Sequence, residues 1–159
     1  MTPTPDLKLL FAELIRFETE LWNGVEARLR TDLDLPLSRF EPMQVISRHP
    51  SCRVYDIADE LSITVGGTSK LVDRIEAAGH CSRRANPDDR RSSIIELTPA
   101  GRRLLSEATA VFEEELQARL GSALSSRSFH EFGASLSKLR AANRAAERAG
   151  AVSRESEHP

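Results

Sequence analysis

The sequence is poor in the residues on which several classes of protein depend. Only two cysteines occur among its 159 residues, Cys52 and Cys81, and they do not form a CxxC pair, which excludes a disulfide framework. The four histidines are scattered, without the clustered spacing of a metal site. Apolar runs stay far below the roughly 18 residues of a membrane helix, and no secretory-signal pattern is present. We therefore expect a reduced, cytoplasmic protein with no metal, no cofactor and no membrane partner.

The chain also lacks the motifs of the common enzyme classes. It contains no nucleophile elbow, no glycine-rich phosphate loop and no paired catalytic carboxylates. With 40% hydrophobic and 29% charged residues, its length suits one globular domain. We expect a single-domain protein without enzymatic activity.

Charge is nearly balanced overall but unevenly placed. The net charge is −2, whereas the segment from Thr64 to Arg103 carries eight basic and five acidic residues. A locally basic surface on a mildly acidic body is typical of a protein that meets a polyanion at one place.

Long amphipathic helices are predicted towards the two ends of the chain. The first runs from about Asp6 to Thr31 and the last from about Ser128 to Arg148, with apolar residues every three or four positions. Such length in a small domain indicates that these helices pack against a partner. The apolar residues expected to make that contact are Leu7, Leu10, Phe11 and Leu14 in the first helix, and Phe129, Phe132, Leu136 and Leu139 in the last.

Three short helices are predicted in the middle of the chain. They are about Ser38–Arg48, Val54–Leu61 and Val65–Ala78. A capping box at Ser38 and Glu41 would start the first of them, with Pro42 in its first turn, where proline is tolerated. Thr64 is placed to cap the third, and Gly79 to end it. Two short helices joined by a tight turn are the signature of a helix-turn-helix.

A two-stranded hairpin is predicted directly after these helices. Its strands are His80–Ala85 and Ser93–Leu97, joined by a charged loop. Thr98 and Pro99 then begin another helix, which runs to about Leu120. The predicted fold class is therefore mainly α with a small β-hairpin wing, a winged helix-turn-helix flanked by long helices.

Several stretches of the sequence resemble the MarR family of winged-helix transcriptional regulators. They are Asp56–Leu61, Leu71–Gly79, Arg83-Arg84, Asp88–Arg91 and Ile94–Gly101. The wing is the most specific of them, with an Asp-x-Arg pattern at Asp89 and Arg91, a strand ending in Leu-Thr, and Pro-x-Gly at the start of the next helix.

The resemblance implies an obligate homodimer that binds a palindromic operator in double-stranded DNA. A single MarR-like domain would cover residues 1–159, with dimerisation helices at about 6–35 and 100–148 and a winged DNA-binding region at about 38–98. We expect residues 1–5 and 150–159 to be disordered. The resemblance further implies a repressor released by a small-molecule ligand, for which a phenolic or anionic effector is expected.

The residues expected to contact DNA lie in the capped helix and in the wing. They are Thr64, Gly66, Gly67, Thr68, Ser69, Lys70 and Arg74, followed by Asp89, Arg90 and Arg91. Hydroxyls and cations of this kind suit base edges and phosphates. Arg91 is expected to enter the minor groove, while Asp89 either pairs with it or caps the wing turn. The two glycines either allow close approach to DNA or belong to a loop before a helix that begins at Thr68.

A ligand pocket is expected between the first two helices. Its lining would be Arg16, Phe17, Trp22, Phe40, Met43, Arg48 and His49, with the arginines supplying a cation for an anionic ligand. The same aromatic and apolar residues can instead belong to the core. Cys52 and Cys81 are expected to be buried, unreactive thiols.

A second function is consistent with the same fold, namely a winged-helix module that binds another protein without direct DNA binding. The basic wing and the polar capped helix favour DNA. The glycine pair at Gly66 and Gly67 leaves the alternative open.

Overall fold

The fold consists of six α-helices and one β-hairpin in the part of the chain that the structure describes. This computed structural model describes the backbone of residues 6–155 and side chains as far as residue 149. The elements are α1 (Leu7–Leu33), α2 (Leu37–Arg48), α3 (Val54–Leu61), α4 (Val65–Ala77), β1 (Cys81–Ala85), β2 (Ser93–Leu97), α5 (Pro99–Leu116) and α6 (Ser126–Glu155). The predicted mainly α fold with a β-hairpin wing is confirmed. No helix among the described residues is long and apolar enough to cross a membrane.

The chain divides into two compact units, one ending at Leu116 and the other beginning at Gln117. The second unit contains a single turn of π-helix, Gln117–Gly121, followed by α6. Helix α5 thus ends before the predicted Leu120. The backbone of α6 is helical to Glu155. The disorder expected for residues 150–159 stays a prediction. Residues 1–5 and 156–159 lie outside the described residues.

Helices α1, α2, α3, α4 and α5 and the β-hairpin share one hydrophobic core. It contains Val25 and Leu29 of α1, Phe40, Met43, Val45 and Ile46 of α2, Ile57 of α3, Val72 and Ile75 of α4, Cys81, Ile95 and Leu97 of the hairpin, and Ala108 of α5. The ring of Phe40 packs against that of Phe112, with centroids 5.0 Å apart and planes tilted by 46°. Helix α2 lies at the centre of this core, since it packs against α1, α3, α4, α5 and β2.

The start of α2 differs from the predicted capping box. The helix begins at Leu37, and no side chain of its N-cap residue accepts a hydrogen bond, so the cap assigned to Ser38 is wrong. Instead, the carboxylate of Glu26 in α1 accepts the backbone N–H of Leu37. Burial raises the pKa of Glu26, but this hydrogen bond and that from Arg30 outweigh it and lower the pKa. Because the helix starts early, Pro42 lies buried in its second turn and not in its first.

The helix-turn-helix formed by α3 and α4 agrees with the prediction. Ser62 ends α3 in the left-handed conformation, with φ of 56°. Thr64 Oγ1 accepts the backbone N–H of Gly67 at 3.1 Å and thereby caps α4. Gly79, with φ of 77°, turns the chain from α4 into the hairpin.

The wing hairpin is tied to the helices through its backbone. Strands β1 and β2 are antiparallel, with Cys81 opposite Leu97. The outer edge of β2 is partly covered, because the N–H of Ile95 donates to the carbonyl of Cys52 at 2.7 Å.

Thr98 explains the Thr-Pro-x-Gly motif that follows β2. Its hydroxyl donates to the carbonyl of Gly79 at 2.6 Å and accepts the N–H of Gly101 at 3.0 Å, which joins the end of α4 to the start of α5. A Cβ at Gly101 would lie 1.9 Å from the carbonyl oxygen of His80. Glycine is therefore required at 101 for α5 to approach the base of the wing.

Candidate nucleic-acid interface

The outer face of α4 is free to contact another molecule. The exposed residues of this helix that recur at spacings of three or four are Gly66, Lys70, Asp73, Arg74 and Ala77. Val72 and Ile75 face the core and are fully buried. Helix α4 therefore presents one solvated face that includes two of the predicted cations.

Thr68 does not belong to this face, which corrects the prediction that it contacts a base. Its side chain is fully buried, and its hydroxyl donates to the carbonyl of Thr64 at 2.8 Å. Thr64 is a cap residue with an extended backbone, so counting helical spacing from it does not give the direction of Thr68. Of the other predicted hydroxyl residues, Thr64 is exposed and Ser69 is half-buried.

Gly66 and Gly67 lie in the first turn of α4, so the alternative in which the helix begins at Thr68 is wrong. Neither glycine has a positive φ. A Cβ on Gly67 would lie 3.0 Å from Thr64 Oγ1, whereas a Cβ on Gly66 would meet no atom within 4 Å. Neither packing nor backbone conformation within the chain requires glycine at position 66.

The wing loop is held in shape by its own side chains. Asn86, which is buried, accepts the N–H of Asp88 at 3.0 Å and donates to the hydroxyl of Ser92 at 2.9 Å. Asp89 Oδ1 accepts the backbone N–H of Arg91 at 2.9 Å. Within residues 6–149, no ion pair joins the side chains of Asp89 and Arg91. Of the two roles considered for Asp89, the structure therefore shows the capping of the wing turn. Arg91 is exposed.

Four exposed cations of α4 and the wing loop have no ion-pair partner among the described side chains. We call these four residues, Lys70, Arg74, Arg90 and Arg91, the basic face. The arginines of β1 are neutralised within the chain. Arg83 contacts Asp73 at 2.6 Å as well as Glu76, and Arg84 contacts Glu96 at 2.8 Å. Of the eight basic residues in this segment, the six without an ion pair among the described side chains are therefore the four of the basic face together with Arg102 and Arg103 of α5.

The predicted ligand pocket is not assembled, which corrects that expectation. Phe40 and Met43 are fully buried in the core. Phe17 and Trp22 are exposed, because only the C-terminal half of α1 packs into the core. Arg16 is exposed and pairs with Glu13 of the same helix. Helical spacing places these residues near one another in the sequence pattern. It did not show that the N-terminal half of α1 lies outside the core.

The last two residues predicted for the pocket tie α2 to α3 instead. Arg48 and His49 both bind the carboxylate of Glu60, the latter through Nε2 at 2.8 Å. The hydrogen bond with His49, followed by that with Arg48, lowers the pKa of Glu60 although burial opposes it. His49 also lines a groove of about 240 Å³ with Ile95 and Arg102. That volume is below the roughly 300–1,000 Å³ of typical small-molecule sites.

Both cysteines are buried, as predicted. Burial raises the pKa of Cys52 to about 12, with a further contribution from Asp56. Burial likewise raises the pKa of Cys81 to about 11, and Glu76 adds to it. Since the thiolate is the reactive form, both thiols are suppressed as nucleophiles at neutral pH.

The residues predicted to form a dimer interface are mostly exposed in the single chain. Leu7, Leu10 and Phe11 of α1 and Phe129, Phe132 and Leu139 of α6 are exposed, while Leu14 and Leu136 are half-buried. Phe11 leaves 67% of its surface in solvent. Clusters of large exposed apolar side chains mark interaction surfaces in soluble proteins. Contact with a second copy of the chain stays a prediction for these residues.

Known proteins are similar to this winged region in sequence and in fold. Residues 35–93 match the sequence model of the MarR family. They extend from the turn before α2 to the first residue of β2. The winged helix-turn-helix of this chain is therefore similar to that of the MarR family.

One relative and two solved structures are similar to this chain. The uncharacterized HTH-type transcriptional regulator YfiV of Bacillus subtilis (strain 168) is 28% identical over 72 residues, which are 45% of this chain and 45% of that protein. The chain thus matches less than half the length of the curated relatives. The transcriptional regulator BldR from Sulfolobus solfataricus is 26% identical, with a TM-score of 0.74 over 86% of this chain and 96% of that one. Sco3205, a MarR family transcriptional regulator from Streptomyces coelicolor solved in complex with DNA, shares the fold, with a TM-score of 0.80, 20% identity and coverage of 88% and 89%.

Two residues of this MarR-type surface were not singled out from the sequence. Asn86 shapes the wing loop, and its position before a proline in a turn was a usable signal. Val65 is the first residue of α4 and is 52% exposed. An apolar residue between a capping threonine and two glycines was the signal for it.

Proposed function

We propose that this chain is a sequence-specific, DNA-binding transcriptional regulator that acts as a homodimer. Helix α4 would enter the major groove with its N-terminal residues towards the base edges, as the second helix of a helix-turn-helix does. The wing loop would lie beside it, with Arg91 directed to the negative potential of the minor groove. The observation that carries the proposal is the basic face, whose four exposed cations have no ion-pair partner within residues 6–149.

The pairing of the neighbouring arginines strengthens this interpretation. Arg83 and Arg84 are bound to carboxylates of α4 and β2, so they stabilise the junction between the helix-turn-helix and the wing. The four cations of the basic face have no such ion-pair partner among the described side chains, so they are available to phosphates. Other exposed cations without an ion pair among the described side chains, such as Arg103 of α5 and Arg140 of α6, lie outside this surface.

The exposed apolar residues of α1 and α6 support the proposed homodimer. Burying them against a second copy is characteristic of obligate dimer interfaces. A two-fold axis then relates two α4 helices, so the operator would be palindromic, with half-sites about 10 bp apart or a multiple of it. We expect the protein to work in the cytoplasm on chromosomal DNA, without enzymatic chemistry.

We infer further that the regulator is a repressor released by a small molecule. A dimer covering its operator excludes other proteins from the same DNA, which favours repression by occupancy. A phenolic or anionic effector would have to bind away from Phe40 and Met43, since the core already fills that region. Thermal shift of the purified dimer in the presence of such compounds, and loss of DNA binding by the same compounds, would identify it.

Selection of duplexes from a random pool tests the DNA-binding proposal. We expect enrichment of one inverted repeat, followed by tight binding of that duplex in fluorescence anisotropy and weak binding of a scrambled duplex of equal composition. The affinity for both should fall steeply between about 50 and 200 mM salt. If no sequence is enriched and the basic face captures proteins instead, the alternative of a protein-interaction module replaces this proposal.

A further inference from the structure

The first turn of α4 presents an apolar side chain at the end of the helix that would face the bases. Val65 is exposed there. The hydroxyl of Thr64 is engaged in capping Gly67, and Gly66 and Gly67 have no side chains. Thr68 is buried. Val65 is therefore the main side chain that projects from this turn.

We propose that Val65 recognises the C5-methyl group of a thymine in each half-site, an inference that rests on the proposed DNA-binding function. Valine can neither form a hydrogen bond with a base edge nor pair with a phosphate. The apolar group that a base pair offers in the major groove is the thymine methyl. Contact between the two would remove apolar surface of both from water.

The glycine that follows Val65 makes this contact sterically feasible. Gly66 is exposed, and a Cβ at that position would meet nothing within 4 Å inside the chain. Glycine in a helix costs up to about 1 kcal/mol relative to alanine, and here no internal contact explains its use. Without a Cβ, the backbone of α4 can approach the groove floor closely enough for a short branched side chain to reach a methyl group.

The inner side of α4 shows that Val65 is not a misplaced core residue. Val72 and Ile75, which are fully buried, supply the contacts of α4 with the core. The other exposed apolar residues of the helix-turn-helix, Tyr55 and Ile63, lie outside α4. Among the described residues of α4, Val65 is thus the large apolar side chain left for an external partner.

Replacing thymine by deoxyuridine tests the inference, because it removes the methyl group and nothing else from the base. Each thymine of the selected operator is replaced in turn, and binding of the full-length protein is measured by fluorescence anisotropy. We expect one thymine in each half-site whose replacement weakens wild-type binding about three- to fivefold. Val65→Ala should bind the thymine duplex more weakly and should bind the deoxyuridine duplex with the same affinity as the thymine duplex.

Two further variants separate contact from folding. Val65→Thr retains the branched shape and exchanges one methyl for a hydroxyl, so it should retain the melting temperature and lose part of the thymine preference. Ile63→Ala is the matched control, since it truncates an exposed apolar residue just before α4, and it should respond to deoxyuridine as the wild type does.

The outcomes distinguish this inference from the proposed function. If the wild type binds no selected duplex, both are overturned. If it binds the operator specifically but no thymine methyl affects affinity, or if Val65→Ala responds to deoxyuridine as the wild type does, the assignment of Val65 is overturned and DNA binding stands. Loss of the response in Ile63→Ala would likewise contradict the assignment.

Discussion

The winged region and the terminal helices have the same amphipathic pattern but differ in whether their apolar residues are buried within the chain. In the winged region, apolar residues such as Phe40 and Ile57 are fully buried within one chain. In the N-terminal half of α1 and in α6, residues of the same kind, such as Phe11 and Phe132, are exposed. The winged region thus buries its apolar residues in a core that it shares with the C-terminal half of α1 and with α5. The N-terminal half of α1 and helix α6 instead have apolar side chains that are exposed in the described chain.

This difference shows what helical periodicity determines and what it does not. The pattern indicates which side chains are excluded from water, but it does not indicate whether the covering surface comes from the same chain. Under the proposed function, this division would serve binding to a palindrome. The winged region would determine which bases are contacted, and the dimer would set the distance between two winged regions.

The largest effect is expected from opening the closed core. Phe40→Ala removes a buried ring that packs against Phe112, and should lower the free energy of unfolding by about 3–5 kcal/mol. Denaturant unfolding followed by circular dichroism measures it. Phe11→Ala, an equal truncation on the exposed face of α1, should lower the stability of the winged region far less. Equal losses would contradict the division into closed and open regions.

A second expected effect concerns assembly. The double variant Phe11→Ser and Phe132→Ser replaces exposed rings on α1 and α6 by polar side chains, so it should shift the protein from dimer towards monomer, with loss of helical circular dichroism in the monomer, because an obligate dimer dissociates only with unfolding. Sedimentation velocity over a range of concentrations measures the shift. Tyr55→Ser, which changes another exposed ring outside these helices, should leave the dimer intact. A wild type that sediments as a folded monomer at micromolar concentration would refute the dimer.

Two smaller effects of opposite sign are expected from a substitution at Gly66, namely a gain in stability and a loss of affinity for the operator. Gly66→Ala should raise stability by up to about 1 kcal/mol, because alanine is the better helix former and its Cβ meets open space. The same variant should weaken operator binding at least about fivefold, since the Cβ would lie between α4 and the bases. Gly67→Ala is the comparison, because its Cβ would crowd Thr64 Oγ1 and should gain less stability. Tighter DNA binding by Gly66→Ala would contradict a close approach at this position.

The buried thiols give the smallest functional effect. With pKa values raised to about 12 for Cys52 and about 11 for Cys81, the folded protein at about pH 8 should react with a thiol reagent at least about a hundredfold more slowly than the unfolded chain. Because these thiols ionise in the unfolded chain first, the free energy of unfolding should fall as the pH rises above about 9. Operator binding at neutral pH should be unchanged by Cys52→Ala. Rapid labelling of the folded dimer would show that the thiols are accessible.

Most of the fold could be predicted from local signals, because caps and turns depend on neighbouring residues. The cap at Thr64, the turn at Gly79 and the two strands of the wing were found in this way. The start of α2 could not be, since its cap is Glu26, which lies eleven residues away on α1. Prediction of the pocket failed for a similar reason, as only tertiary packing shows that the part of α1 before Leu21 lies outside the core.

In the candidate site, too, the roles of single residues depend on tertiary contacts that the local sequence does not show. Lys70 and Arg91 were identified by sequence position, but which cations of the segment are free depended on the carboxylates that bind Arg83 and Arg84. Thr68 was misplaced because the residue from which its direction was counted is a cap.

The salt dependence of operator binding by Arg91→Ala and Arg84→Ala tests the central claim most directly. Both variants remove one exposed guanidinium from the wing hairpin, but only Arg91 belongs to the basic face, while Arg84 is paired with Glu96 at 2.8 Å. Fluorescence anisotropy between about 50 and 200 mM salt should show that Arg91→Ala reduces the slope of log K against log salt by about one per lost contact in the dimer. Arg84→Ala should leave the slope at the wild-type value. Equal slopes for the two variants would contradict the claim that the unpaired cations of the basic face bind DNA.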